Sequence, residues 1–229
     1  MIPARLGYAS QLHHRRVLRR RCREQRAVVL TYDDGPGTVL TPRLLDVLGE
    51  HGGRATFFAL GRRAATMPEL LDRIVAEGHE VGCHTYDHGN AWQIGAAAAA
   101  RDVRDGYAAL APWMAADGPF RPPFGKLAPG TLSAVRAKRV PVCLWTHDSG
   151  DTYAVQPDPE AIVDAVVRDG GGVVLMHDFD RDPPEPERIE RILALTAGLV
   201  EAARAHGLAV RTAGELLGSA APPRVPAAL

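Results

Sequence analysis

The sequence predicts an α/β fold built from βαβ units around a mostly parallel sheet. Three observations carry this. Short apolar, β-branched runs alternate with helix-like runs of ten or more residues. The 229 residues are enough for one well-buried core and show no internal repeat or linker. The residues with chemical capability fall just after the strand-like runs, as expected where strand carboxyl ends share one face.

In chain order, residues 1 to 26 come first, with seven arginines between Arg15 and Arg26. They read as a basic N-terminal extension, helical or disordered and solvated, with contact to nucleic acid or an anionic surface as the alternative. Ala27 to Tyr32 is a strand that ends at Asp33-Asp34-Gly35-Pro36. A helix follows from Thr41 to His51, with Thr41 as N-cap and Pro42 at its first position. Ala55 to Leu60 is a strand, Pro68 to Glu77 a helix stopped by Gly78, and His79 to His84 a third strand. A long helix is expected from Ala96 to Ala116, then helix Pro129 to Lys138 and strand Val140 to Thr146. The cycle closes with helix Pro159 to Arg168, strand Gly172 to Met176, helix Pro186 to His206 and strand Leu208 to Arg211. Ser219 to Leu229 is Ala/Pro-rich and reads as a flexible tail, leaving 27 to 218 as the folded domain.

Composition excludes several classes. Formal net charge is zero, so no nucleic-acid partner is expected. No apolar run is long enough for a transmembrane helix. Three dispersed cysteines, Cys22, Cys83 and Cys143, make no disulfide framework and suit a reducing compartment. No apolar signal-peptide core precedes the first strand, so a cytoplasmic location is expected, or secretion if a leader precedes these residues. Oligomeric state is not legible.

His84 and His88 are four residues apart, and one helical turn would bring such a pair to the same side. With a carboxylate from the Asp33-Asp34 pair they match a three-ligand catalytic site with an open position for water. Adjacent side chains leave an extended strand on opposite faces, so one aspartate can bind metal while the other stays free as a base. His177, after the apolar run Val173 to Met176, is a candidate acid, and Arg121 can hold a carboxylate. Against this stand plainer readings: surface or core histidines for the HxxxH pair, a turn or cap for the aspartates. Cys83 reads as a core thiol, His147 as structural, and Asp178, Asp180 and Asp182 as loop carboxylates.

Five segments in order resemble the NodB-type polysaccharide deacetylases, carbohydrate esterase family 4. Thr31 to Pro36 resembles its TFDDGP motif, His84 to His88 its H-[ST]-x-x-H motif, and Arg121 to Gly125 its R-x-P-[YF] motif. Asp148-Ser149-Gly150-Asp151 resembles D-x-x-D-W without the tryptophan, and Leu175-Met176-His177 resembles L-x-H. The resemblance spans roughly Val28 to Val210 and implies a single-domain, distorted (β/α) barrel of about seven strands. It implies a metal-dependent hydrolase that removes an N-linked acetyl group from an aminosugar or N-acetylated glycan. By position, Asp34, His84 and His88 would hold one divalent ion, zinc foremost, with cobalt or nickel as alternatives. Asp33 would be the base, steadied by Arg121, and His177 the acid, oriented by Asp151. A backbone N–H near Phe124 would hold the oxyanion, a contribution of about 3 kcal/mol to the barrier. Leu175 would wall the acyl methyl.

Thr152 stands where the family often has tryptophan, which bears on the sugar pocket more than on the chemistry. An O-acetyl esterase or deformylase on the same scaffold, or an inactive carbohydrate-binding relative, is the alternative. The lack of a visible leader and of evident exposed aromatics tilts the expected substrate toward a small or lipid-linked aminosugar.

Overall fold

The computed structural model describes residues 4–219, with side-chain surroundings from Gln11 onward. The expected tail, Ser219 apart, lies outside the described residues. The helices are α1 (Ala4–Gln25), α2 (Leu40–His51), α3 (Gly61–Ala64), α4 (Pro68–Ala76), α5 (Ala96–Leu110), α6 (Pro129–Lys138), α7 (Pro159–Arg168), α8 (Pro186–Ala205) and α9 (Ala213–Leu217). The strands are β1 (Ala27–Asp33), β2 (Ala55–Ala59), β3 (Glu80–Cys83), β4 (His147–Asp148), β5 (Gly172–His177) and β6 (Ala209–Val210).

All pairings are parallel, in the order β3-β2-β1-β5-β4, with β6 beside the start of β1. β1 is buried along its whole length, which its unbroken apolar run foretells for a central parallel strand. Single bridges close the sheet: Phe120 pairs with Cys83 at the end of β3 and with Val142 on its other side. About seven strands were expected; six are present among the described residues, and the Phe120 segment stands in the seventh place. The strand expected at Val140 to Thr146 is also absent. Its backbone changes neighbours midway, since Cys143 N–H donates to Phe120 and Thr146 N–H to Val173. Only His147–Asp148 remain as a ladder with β5. α5 stops at Leu110, short of Ala116, because Pro112 cannot continue the helical bonding.

Strand alternation divides the core in two. Val28, Leu30 and Tyr32 face outward with Phe57, Val174 and Met176, beneath α2, α5 and α8. Val29, Phe58, Cys143, Leu144 and Val173 face the barrel interior, joined by Ala213 and Leu216 of α9. Leu18 and Cys22 of α1 belong to this inner cluster and are fully buried. Arg21 and Gln25 bond to the Leu216 carbonyl. α1 is therefore not a solvated arm: its apolar stripe fills the barrel, Arg15 lies over the Trp145 ring, and of its described arginines only Arg16, Arg19, Arg20 and Arg23 are exposed on the outer side.

Candidate active site

β1 sets the site's geometry. Thr31 and Asp33 follow Val29 on the inward face, and Asp33 is the register partner of His177 on β5. The next residue, Asp34, turns into the left-handed region (φ 70°). This corrects the expectation that neighbouring aspartates must diverge. With the backbone turned, Asp33 Oδ2 lies 3.7 Å and Asp34 Oδ1 3.4 Å from the same atom, His84 Nε2.

The two histidines converge for a different reason than helical spacing. No helix spans them: His84 follows β3 directly, and the loop bends at Thr85 (φ 69°) and His88 (φ 63°). His88 Nε2 ends 3.1 Å from Asp34 Oδ1, and the two imidazole centroids are 5.0 Å apart. Among the described residues six non-glycine positions have positive φ, and four of them, Asp34, Thr85, His88 and Phe124, are at this site. Such conformations cost about 1–3 kcal/mol each and persist only where surroundings impose them. For the Thr85 to His88 loop, Asp102 on α5 does so. Its Oδ1 accepts from the N–H groups of Tyr86 and Asp87, and its Oδ2 from Gly89. Gly106, one turn along α5, lies so close that a Cβ would be 2.6 Å from the Thr85 carbonyl carbon.

The donor set fits a divalent ion. One atom each from Asp34, His84 and His88 falls within 4.8 Å of the others. Asp34 Oδ1 is buried with no hydrogen-bond partner, although both imidazoles approach it. The three sets of lone pairs converge on a point rather than bonding one another, as a cation site requires. His84 Nδ1 lies 2.7 Å from the Arg121 carbonyl, which leaves Nε2 facing that point. Burial holds the His84 imidazole down at about 3, so it is the neutral, ligating form.

Arg121 is the most deeply placed charge. Its Nη1 donates to Asp33 Oδ1 and Thr31 Oγ1, each at 2.7 Å. Its Nε donates to the Cys143 carbonyl and its Nη2 to Leu144, and the guanidinium lies 4.1 Å over the Phe58 ring. Burial raises the Asp33 carboxyl above its ordinary range, with Arg121 pulling the other way. Opposite, Asp151 Oδ1 is 2.9 Å from His177 Nδ1. Burial works against charge on His177, but the bond and charge of Asp151, with Asp33 and Asp34 adding, push it up to about 9. Leu175 faces the same side two residues earlier on β5. Phe124 is exposed and left-handed, its ring 4.6 Å from His88.

Other sequence expectations divide. Cys83 is a buried thiol in the outer core, and His147 contacts Asp169 and Thr146. Asp178 is not a solvated loop acid. It is fully buried, accepts from Thr41 Oγ1 at 2.7 Å, and lies against Gly35, where any Cβ would strike its carboxylate. Thr41 accordingly is not the N-cap of α2; the N–H groups of Val39 and Leu40 are taken by Asp180 from the loop after β5. Sequence reasoning missed Asp102 and Arg188. Arg188 carried a faint signal, since it shares the buried face of α8 with Ile192, Leu195 and Leu199 at helical spacing.

Comparison with known proteins identifies the family. The profile of the polysaccharide deacetylase family matches residues 20–142. A peptidoglycan-N-acetylglucosamine deacetylase of Bacillus cereus is 31% identical over 195 residues, covering 84% of this chain and 89% of the relative. A chitooligosaccharide deacetylase of Sinorhizobium fredii is 36% identical over 173 residues, covering 74% and 80%. The solved structure of a family 4 carbohydrate esterase from Streptomyces lividans, in complex with acetate, superposes with a TM-score of 0.66 at 33% identity, covering 80% and 90%. With five motifs gathered at one end of one barrel and a profile match over more than half its length, the chain belongs to the polysaccharide deacetylase family.

Proposed function

We propose that the protein hydrolyses the N-acetyl group of N-acetylglucosamine units in a glycan, using a divalent ion held by Asp34, His84 and His88. The observation that carries this reading is the convergence of that triad between a buried Asp33–Arg121 pair and a buried His177–Asp151 pair. The bound ion, zinc foremost, would supply Lewis acidity toward the acyl carbonyl and the attacking water.

The chain's own groups supply the proton movements. Asp33, held by Arg121, accepts a proton from water as the new C–O bond forms. The oxyanion that develops falls beside the left-handed backbone at Phe124. As the C–N bond breaks, its electron pair stays on nitrogen, which takes the proton from His177 Nε2. Acetate and a free amine leave. Asp151 keeps Nδ1 protonated and so keeps Nε2 turned toward the site. Leu175 borders the space for the acyl methyl.

Substrate size follows from surface chemistry and relatives together. Phe124 and Trp92 are both exposed, and Lys126 Nζ lies 5.2 Å and 5.1 Å from their ring centres. Phe124, next to His88, and Trp92, across Lys126, offer exposed aromatic surface for stacking against sugar rings. The relatives named above are deacetylases of peptidoglycan and chitooligosaccharide. Both favour an oligomeric glycan over the small aminosugar that the bare sequence suggested. The test is acetate release from chitooligosaccharides, peptidoglycan fragments, acetylxylan and free N-acetylglucosamine, after chelation and with zinc or cobalt restored. Metal-dependent release from the N-acetylated oligomers is expected. Release from acetylxylan alone would replace the amide reading with the ester one.

A further inference from the structure

Arg188 lies in the first turn of α8, a helix whose buried face is otherwise apolar apart from Thr196, and is itself 2% exposed. Its Nη2 donates to Asp151 Oδ2 at 3.0 Å and to the His177 carbonyl at 3.3 Å. Its Nε donates to the Asp151 carbonyl at 3.1 Å and its Nη1 to the Phe179 carbonyl at 3.0 Å. The guanidinium lies 4.7 Å over the Phe179 ring, whose edge in turn meets His177 at 5.9 Å. Every polar contact of this side chain goes to Asp151, His177 or the residue two beyond it.

The two oxygens of Asp151 are thereby divided. Oδ1 receives His177 Nδ1 and the Ser149 hydroxyl, while Oδ2 is taken by Arg188. A carboxylate held at one oxygen alone can turn about its last torsion; one held at both cannot. Asp151 lies in the loop after β4 and His177 at the end of β5, and Arg188 is the side chain that bonds the backbone of both. Stability does not explain the choice of residue. A buried ion pair is often matched or bettered by apolar side chains of similar volume, and α8 offers an apolar face.

Resting on the proposed deacetylation, we propose that Arg188 is a positioning residue for its acid step. It clamps Asp151 and the end of β5 so that His177 Nε2 presents its proton to the departing nitrogen. That proton moves from Nε2 to the amine as the C–N bond breaks, leaving a neutral imidazole still bonded through Nδ1 to Asp151. The effect is therefore confined to substrates whose leaving group needs a proton.

The experiment compares Arg188→Met and Arg188→Lys with wild type on chitotetraose and on 4-nitrophenyl acetate, whose leaving group departs unaided. With zinc bound, kcat on chitotetraose should fall about 10- to 100-fold in Arg188→Met, in the range seen when outer partners of catalytic groups are removed. KM should stay within about 2-fold and the ester rate within about 3-fold. Arg188→Lys, which keeps the charge but loses the planar fork, should fall between and covers the case in which Arg188→Met does not fold. In an Asp151→Asn background either substitution should add less than about 2-fold, because both act through one imidazole. Equal losses on amide and ester, a wild-type amide-to-ester ratio in Arg188→Lys, or multiplicative losses with Asp151→Asn would each overturn the assignment. Wild-type protein that releases no acetate from chitotetraose would overturn the deacetylase reading instead, so the two failures are distinguishable.

Discussion

Arg121 Nη1 lies 2.7 Å from Asp33 Oδ1 with both side chains buried, so the proposed base and its cation form a buried pair on the inward side of the sheet. Removing one partner leaves the other charge buried and uncompensated, at a cost of about 3–5 kcal/mol. Arg121→Met should therefore lower the melting temperature by about 10 °C, at the usual 2–4 °C per kcal/mol for a chain of this size. Asp33→Asn keeps an acceptor for Arg121 and should melt closer to wild type while losing turnover. Calorimetry and acetate release on the two variants separate the roles. A harmless Arg121→Met would mean the pair is wetter than its geometry implies.

His84 and His88 face Asp34 Oδ1 from two sides of a bent loop, and the ion they are proposed to hold should stabilise the native state alone. Zinc at 100-fold excess over its Kd should add about 2.7 kcal/mol to unfolding. His84→Ala should abolish both the zinc-induced rise in melting temperature and zinc retained after dialysis. If the variant keeps a full equivalent of zinc, the ligand set is wrong.

Asp102 holds that loop without touching the triad, and Gly106 leaves room for it. Asp102→Ala removes the acceptor for the Asp87 and Gly89 N–H groups and leaves Tyr86 only the residue-102 carbonyl, in the loop carrying both histidines. Zinc affinity should fall about 10- to 100-fold, the scale seen for outer-shell partners. Gly106→Ala should act the same way by pressing a methyl group on Thr85. Competition titration with a chromophoric chelator reads both. Unchanged affinity in the pair would show that the loop keeps its shape unaided.

How much of this was legible in the sequence depends on where each interaction originates. Asp33, His84 and His177 could be picked out because each ends or follows a strand-like run, and local pattern alone places it at a strand terminus; Arg121, after Gly118-Pro119-Phe120, stood out only through its motif. Asp102 could not, because on α5 it reads as one more polar residue beside Val103, and its partners are backbone groups 13 to 16 positions earlier. The capping of α2 by Asp180, 140 residues away, hid for the same reason while Thr41 offered a plausible local cap. The convergence of Asp33 with Asp34 failed differently. Strand alternation predicted divergence, and one left-handed residue reversed it.

The His177–Asp151 pair gives the pH dependence its sign. His177 is raised from 6.5 to about 9, against the desolvation that opposes its charge, and Asp151 is lowered from its ordinary value despite burial. A raised histidine contributes stability that is complete below pH 6.5 and is lost as pH climbs through about 9. A depressed carboxyl contributes stability present above its ordinary 3.8 and lost as pH falls below it. The stability difference between wild type and Asp151→Asn should thus be widest between about pH 4 and 6.5 and should shrink toward pH 9. The alkaline limb of kcat/KM reports the same proton and should move to lower pH in Asp151→Asn. Denaturant melts and pH–rate profiles measure the two shifts, and an alkaline limb that stays in place would remove His177 from the acid role.

Leu18 is the residue on which the status of the N-terminal helix turns. Its side chain lies in the barrel interior with Val29, Phe58 and Val173, beneath the Arg121–Asp33 pair on the same inward face. A residue on a solvated arm tolerates truncation to alanine within about 0.5 kcal/mol, whereas a leucine in a packed core loses about 2–5 kcal/mol. Leu18→Ala should fall in the second range, and Arg19→Ala or Arg20→Ala, on the exposed side of the same helix, in the first. Deleting residues 1–26 should then unfold the barrel rather than trim it, because Phe58, on which the Arg121 guanidinium rests, loses part of its packing. Urea midpoints for the three point variants decide the matter, and a Leu18→Ala protein as stable as Arg20→Ala would return α1 to the role of an accessory arm.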